Sequence, residues 1–155
     1  MFKLFQNHEL QIDKKTGNVF LMIWGDLDYN KNAQRLVKIL ELLISENSLI
    51  ETNCLVGTKS PLLNELESVS YIEVTQKLNS GDFYKIFITV KIKDIKELAC
   101  LVAEHDSVLE FECKSCEVSG AFNDNDGSFV HITKEKYEEH KNAIEGILRA
   151  KVFQM

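Results

Sequence analysis

Two thiolates at the spacing of Cys113-Lys114-Ser115-Cys116 can grip one zinc ion or exchange a disulfide, and this is the one named motif in the chain. A redox pair wants its first cysteine at a helix N-terminus, where the helix dipole lowers the thiol pKa. Here the chain runs on through Glu117-Val118-Ser119-Gly120 with strand or loop character, and the surrounding carboxylates are expected to raise the thiol pKa. A structural zinc needs four ligands, and the remaining candidates Cys54, Cys100, His105 and His131 contain no second close pair. Cys113 is therefore read as sharing the inward face of its strand with Leu109 and Phe111, with Cys116 at or beyond the strand end. Cys113 and Cys116 remain the metal candidates of a chain for which neither a metal nor a cofactor is expected.

Other segments resemble chemistry and fail on register. Asn123-Asp124-Asn125-Asp126-Gly127 looks like a calcium loop, but with the glycine at the sixth position the first ligand is Phe122 and the twelfth is Thr133, where a glutamate is needed. Gly57-Thr58-Lys59-Ser60 has no upstream glycine, and its lysine does not follow a glycine directly, so a phosphate loop is set aside. Ser119-Gly120 lacks the first glycine of a nucleophile elbow, and His8, His105, His131 and His140 form no metal-binding pattern. Asp26 and Asp28 are the best paired carboxylates, yet turn formation and helix capping account for both. No catalytic residue is assigned.

What survives is the placement of charge. Between Glu97 and Asp126 eight acids face one base, Lys114, so this window carries −7 while the whole chain carries −6. Glu110 and Glu112 alternate with Leu109 and Phe111, so in a regular strand both carboxylates point away from the core, close to the acidic turn at Asp124. An acidic face is expected, which either steers a cationic partner or serves only as a solvated surface.

The elements that must position these residues follow from periodicity. Residues 2 to 13 read as a strand region, and Asp13-Lys14-Lys15-Thr16-Gly17 as a turn ending in a left-handed glycine. Val19 to Trp24 reads as a central strand covered on both faces. Asp28 or Asn30 can cap a helix whose apolar stripe is Ala33, Leu36, Val37, Leu40, Leu43 and Ile44. Leu49 to Val56 reads as a strand, and Ser60-Pro61 starts a short helix running through Glu67. Tyr71 to Leu78 and Phe83 to Ile92 make a hairpin around Asn79-Ser80-Gly81-Asp82. Asp94 and Glu97 form a capping box for a helix striped by Ile95, Leu98, Ala99 and Val102 and ending near Glu104. Val108 to Glu117 alternates as one strand, Phe122 to Gly127 reads as a polar loop and Ser128 to Ile132 as a short strand, and Thr133 caps a last helix that buries Tyr137, Ile144 and Leu148.

The expected class is α+β: a largely antiparallel sheet with about three helices packed on it, or alternatively a ferredoxin-like core with an extra N-terminal hairpin and C-terminal helix. At 155 residues, with no repeat, linker or low-complexity tract, residues 1–155 read as one domain able to bury roughly 70 % of its unfolded surface. No apolar run reaches membrane-spanning length, no signal peptide is recognised, and four cysteines without an export signal fit reduced thiols, so a cytoplasmic location is expected. The net charge of −6 repels phosphate backbones and anionic lipid, so neither nucleic acid nor a membrane is an expected partner.

The leading functional expectation is a small acidic module that occludes a basic protein, as inhibitors and immunity proteins do for toxic nucleases. Capture would run through Glu110, Glu112, Glu117, Asp124 and Asp126, with Phe122 and Phe129 as neighbouring aromatic anchors. The alternatives are a ligand-binding domain or enzyme with a site near Trp24, Asp26, His105 and His131, and a subunit of a larger assembly, which an exposed apolar patch would favour.

Overall fold

In the computed structural model, which describes residues 10–23, 29–122 and 128–153, the alternating stretches become eight strands. These are β1 (Leu10–Ile12), β2 (Val19–Ile23), β3 (Leu49–Gly57), β4 (Glu73–Ser80), β5 (Phe83–Lys91), β6 (Leu109–Cys113), β7 (Val118–Phe122) and β8 (Ser128–Ile132). The helical stretches become α1 (Tyr29–Leu43), α2 (Pro61–Ser68), α3 (Ile92–Glu104) and α4 (Lys134–Phe153). The strands form one sheet in the order β1-β2-β8-β7-β6-β3-β5-β4, with every neighbouring pair antiparallel. This is the expected α+β class, a largely antiparallel sheet with four helices among the described residues, one of them the short α2. Within it, β3-α2-β4-β5-α3-β6 follows the β-α-β-β-α-β order of a ferredoxin-like unit. Each of its helices links two strands that leave room for a third, β5 lying between β3 and β4 and β3 between β5 and β6.

Local chemistry fixes the ends of several elements. The β1–β2 reversal closes with the Asp13 carboxylate accepting from the Lys15 amide at 2.9 Å and the Thr16 hydroxyl accepting from the Asn18 amide at 3.1 Å. Gly17 takes the expected left-handed conformation, with φ of 77°. Ser60 caps α2 by accepting from the Leu62 amide at 3.2 Å, and Thr133 caps α4 by accepting from the Lys136 amide at 3.2 Å.

The core lies between one sheet face and the helices. Leu36, Ile39 and Leu40 of α1, Ile95, Leu98 and Val102 of α3, and Tyr137, Ile144 and Leu148 of α4 are buried against inward strand residues such as Leu21, Ile50, Ile88 and Val130. Each fully buried Leu or Ile contributes roughly 1.5–3 kcal/mol relative to exposure. Thr52 sits among these side chains without harm because its hydroxyl donates to the Ile88 carbonyl at 2.9 Å.

Strand β4 is shifted to Glu73–Ser80 from the expected Tyr71–Leu78, and two further differences bear on the site. Helix α3 starts at Ile92, straight out of β5 with Lys91 as a cap that makes no side-chain bond. Ile92 is buried, so the last inward position of the strand becomes the first of the helix, and Asp94 falls in the first turn, where its charge suits the helix dipole. Val108 to Glu117 is not one strand: β6 ends at Cys113, a 3-10 turn spans Lys114–Cys116, and Glu117 reverses the chain in the left-handed conformation with φ of 56°. The return strand, β7, takes up Val118–Gly120, which have strand or loop character in the sequence, and Phe122 of the expected polar loop. Of the 2–13 strand region only Leu10–Ile12 falls among the described residues as strand, and Trp24, Asp26 and Asp28 lie outside them, as do His8 and residues 123–127.

Gly120 of β7 packs under the Phe111 ring, whose Cζ would stand 2.6 Å from an added Cβ, and the same Cβ would run into the Phe129 carbonyl oxygen. Main chain on one side and a buried ring on the other leave no flexible group to give way. Gly120→Ala is expected to destabilise by about 2 kcal/mol or more and to lower the thermal midpoint by roughly 4–8 °C, read by circular dichroism; an unchanged midpoint would mean that β7 and β8 separate easily.

Candidate functional site

Because strand side chains alternate, the face turned away from the helices collects every second residue of every strand. Among the described residues no helix packs on it. Register aligns these residues in rows. One row runs Met22, Phe129, Ala121, Glu110, Asn53, Phe87, Gln76, and the next runs Phe20, His131, Ser119, Glu112, Glu51, Thr89, Glu73. Carboxylates thus occupy the centre, with aromatic rings to either side.

The rows cross a shallow groove of about 540 Å³ walled by Glu51, Asn53, Glu110 and Glu112, with Phe87 at one end and Phe129 at the other. Glu51 and Glu112 are direct cross-strand partners, and Glu110 stands two residues from Glu112 on the same face. Like charges placed directly opposite destabilise a sheet. The cation nearest this pair, Lys114, reaches Glu51 at 3.9 Å with both side chains largely exposed, which offsets little. Phe129 and His131 pack on Phe20, with ring centroids 5.9 and 4.5 Å away, so these rings stand as a preformed aromatic wall. Beside the groove, a smaller hollow of about 280 Å³ brings Glu112, Glu117 and His131 together.

The structure therefore gathers Glu110, Glu112, Glu117 and Phe129 on one face. It removes Phe122 from the set: this ring points inward and is fully buried, because Phe122 is the last residue of strand β7 and not part of the expected polar loop. Asp124 and Asp126 lie outside the described residues. Glu51 and Phe87 join the site. Phe87 was legible from the alternation of β5, whereas Glu51 is masked in sequence by Leu49 and Leu55, apolar residues at the outward positions of β3 that are 57 % and 54 % exposed. His105 and His131 are not brought together: His105, at the end of α3, bonds Glu65 of α2 at 2.8 Å on the helical side, while His131 lies on the open face. A second groove of about 540 Å³, between α1 and α4, is lined by Lys31, Arg35 and Lys38.

Cys113 is buried at the end of β6, as its place in the alternation predicts, and Cys116 closes the 3-10 turn. The thiol of Cys116 is not raised by neighbouring carboxylates. Burial opposes its ionisation, but hydrogen bonds from the Ser45 amide and from the Cys113, Ser48 and Ser115 side chains outweigh it and bring the pKa to about 7. Among the described residues no group of three or more His, Cys, Asp or Glu side chains is placed to hold a metal ion. The chain matches no family model, no curated protein and no solved structure.

Glu112→Gln removes one member of the opposed pair while keeping its shape. The variant is expected to be more stable by about 0.2–0.5 kcal/mol, a rise of roughly 1–2 °C in thermal midpoint at low salt. A lowered midpoint would show that the Glu112 carboxylate holds the sheet together instead of straining it.

Proposed function

We propose that the chain is a protein-binding module whose open sheet face captures a basic protein and occludes it, as a stoichiometric inhibitor or immunity protein does. The observation that carries this reading is the close placement of Glu51, Glu110 and Glu112 in one groove between Phe87 and Phe129. A like-charge cluster that weakens the free protein is relieved by a cationic partner, and it accelerates encounter with one. The rings beside it supply the buried contacts that hold a complex once formed.

Size is consistent with this. Seven strand spacings of about 4.8 Å and strands of about 17 Å give a face on the order of 600 Å², near the ~800 Å² per partner of a stable complex. The same acids repel a phosphate backbone, which disfavours nucleic acid. No described helix is long and apolar enough to cross a membrane. The four free cysteines fit a reducing compartment, and we place the protein in the cytoplasm on that ground.

A second reading, a subunit of an assembly, draws on the far end of the same face. There Leu55, Phe83 and Leu78 are 54 %, 50 % and 45 % exposed around Lys85. A stable oligomer in sedimentation velocity that Leu78→Asp dissociates would favour it, and a monomer at all concentrations would remove it.

The principal test is capture from the native cell's lysate at low and high salt, by the wild type and by the Glu110→Lys, Glu112→Lys double variant. The expected result is a stoichiometric basic protein released by salt, whose association with the double variant is about tenfold or more slower. A partner retained equally by the double variant, or no stoichiometric partner at either salt, would overturn the proposal.

A further inference from the structure

The turn between β6 and β7 carries chemistry that the acidic face does not use. Cys113 closes β6 with its side chain buried, and Cys116 is half-buried at the end of the 3-10 turn. The Ser115 hydroxyl lies 3.5 Å from the Cys113 sulfur and 3.8 Å from the Cys116 sulfur, so one group touches both. Ser48, from the segment between α1 and β3, places its hydroxyl 3.8 Å from Cys116 Sγ. Cys113 itself is extended and immediately precedes the 3-10 turn, and its side chain is among those that hydrogen-bond the Cys116 sulfur, so the two thiols are direct neighbours.

The remaining thiols are differently placed. Cys54 is buried in the core, and burial alone pushes its thiol up to about 12. Cys100 donates to the Asn30 side chain at 3.1 Å on the helical side of the molecule. Cys116 has both partial access and donors aimed at its sulfur, the conditions that favour a thiolate nucleophile.

We propose that Cys116 and Cys113 form a redox-active dithiol that reduces a low-molecular-weight disulfide, Cys116 attacking and Cys113 resolving. In the first step the Cys116 thiolate forms a bond to one sulfur of the small disulfide, whose sulfur–sulfur bond breaks; the first small thiolate leaves and takes up a proton. In the second, Cys113 gives up its proton and attacks Cys116 Sγ, expelling the second small thiolate, which is protonated in turn. Two electrons pass to the small disulfide, which becomes two thiols, and the protein gains a Cys113–Cys116 disulfide across the turn. The inference stands on this turn alone and does not depend on the reading of the acidic face.

The test uses the full chain and glutathione disulfide as probe, with samples quenched by acid and read by intact-mass and peptide mass spectrometry. The wild type is expected to lose the mass of two hydrogens, with Cys113 and Cys116 in one linked peptide. Cys113→Ala keeps the buried position apolar and is expected to trap glutathione on Cys116. Cys116→Ser is expected to react at least about tenfold more slowly, and Ser48→Ala to slow the first step while circular dichroism stays unchanged. An unmodified wild type, adducts at Cys54 or Cys100 in place of Cys116, or no trapped adduct in a folded Cys113→Ala would each overturn the proposal.

Discussion

Every strand of this sheet sends alternate side chains to opposite faces, and among the described residues only one face receives a layer of helices. The rest of the molecule follows from that asymmetry. The inward set must be apolar enough to hold α1, α3 and α4, which fixes the register of each strand, because a slip of one residue would exchange Ile50 for Glu51 or Phe111 for Glu112. The outward set is freed from packing demands. It can hold acids at its centre and rings at its sides at a modest penalty.

Legibility in the sequence divides along the same line. The buried stripes of the helices, the Gly17 turn and the capping by Ser60 and Thr133 are local patterns, each set by residues within about one helical turn of one another. The reversal at Glu117 carries no such mark. It uses a glutamate where glycine or asparagine would announce a left-handed residue, so alternation through Val108 to Glu117 looks like one long strand. That single missed turn hides β7 and, with it, the inward direction of Phe122.

The acidic site was half legible for a related reason. Alternation within β6 is enough to send Glu110 and Glu112 outward, but Glu51 joins them only because β3 pairs with β6 across some sixty residues of intervening chain. A long-range register of this kind leaves no local trace, and the apolar Leu49 and Leu55 beside Glu51 give β3 the look of a strand buried on both faces. The low pKa of Cys116 was hidden likewise. Nearby carboxylates in sequence point the wrong way, whereas two of the four groups whose hydrogen bonds lower it, Ser45 and Ser48, arrive from another part of the chain and act beside Cys113 and Ser115.

The place where the acids meet is also a seam. β3 pairs with β5 along its whole length from Leu49 to Gly57, but with β6 only from Glu51 to Asn53. The ferredoxin-like strands β3, β5 and β4 are therefore joined to the β1-β2-β8-β7 half by a narrow ladder through β6. On the helical side the seam is bridged by α1 packing against α3. On the open side no described helix crosses it, and the pairing there opposes Glu51 to Glu112. Backbone hydrogen bonds and the helical layer must hold the two halves together against that repulsion.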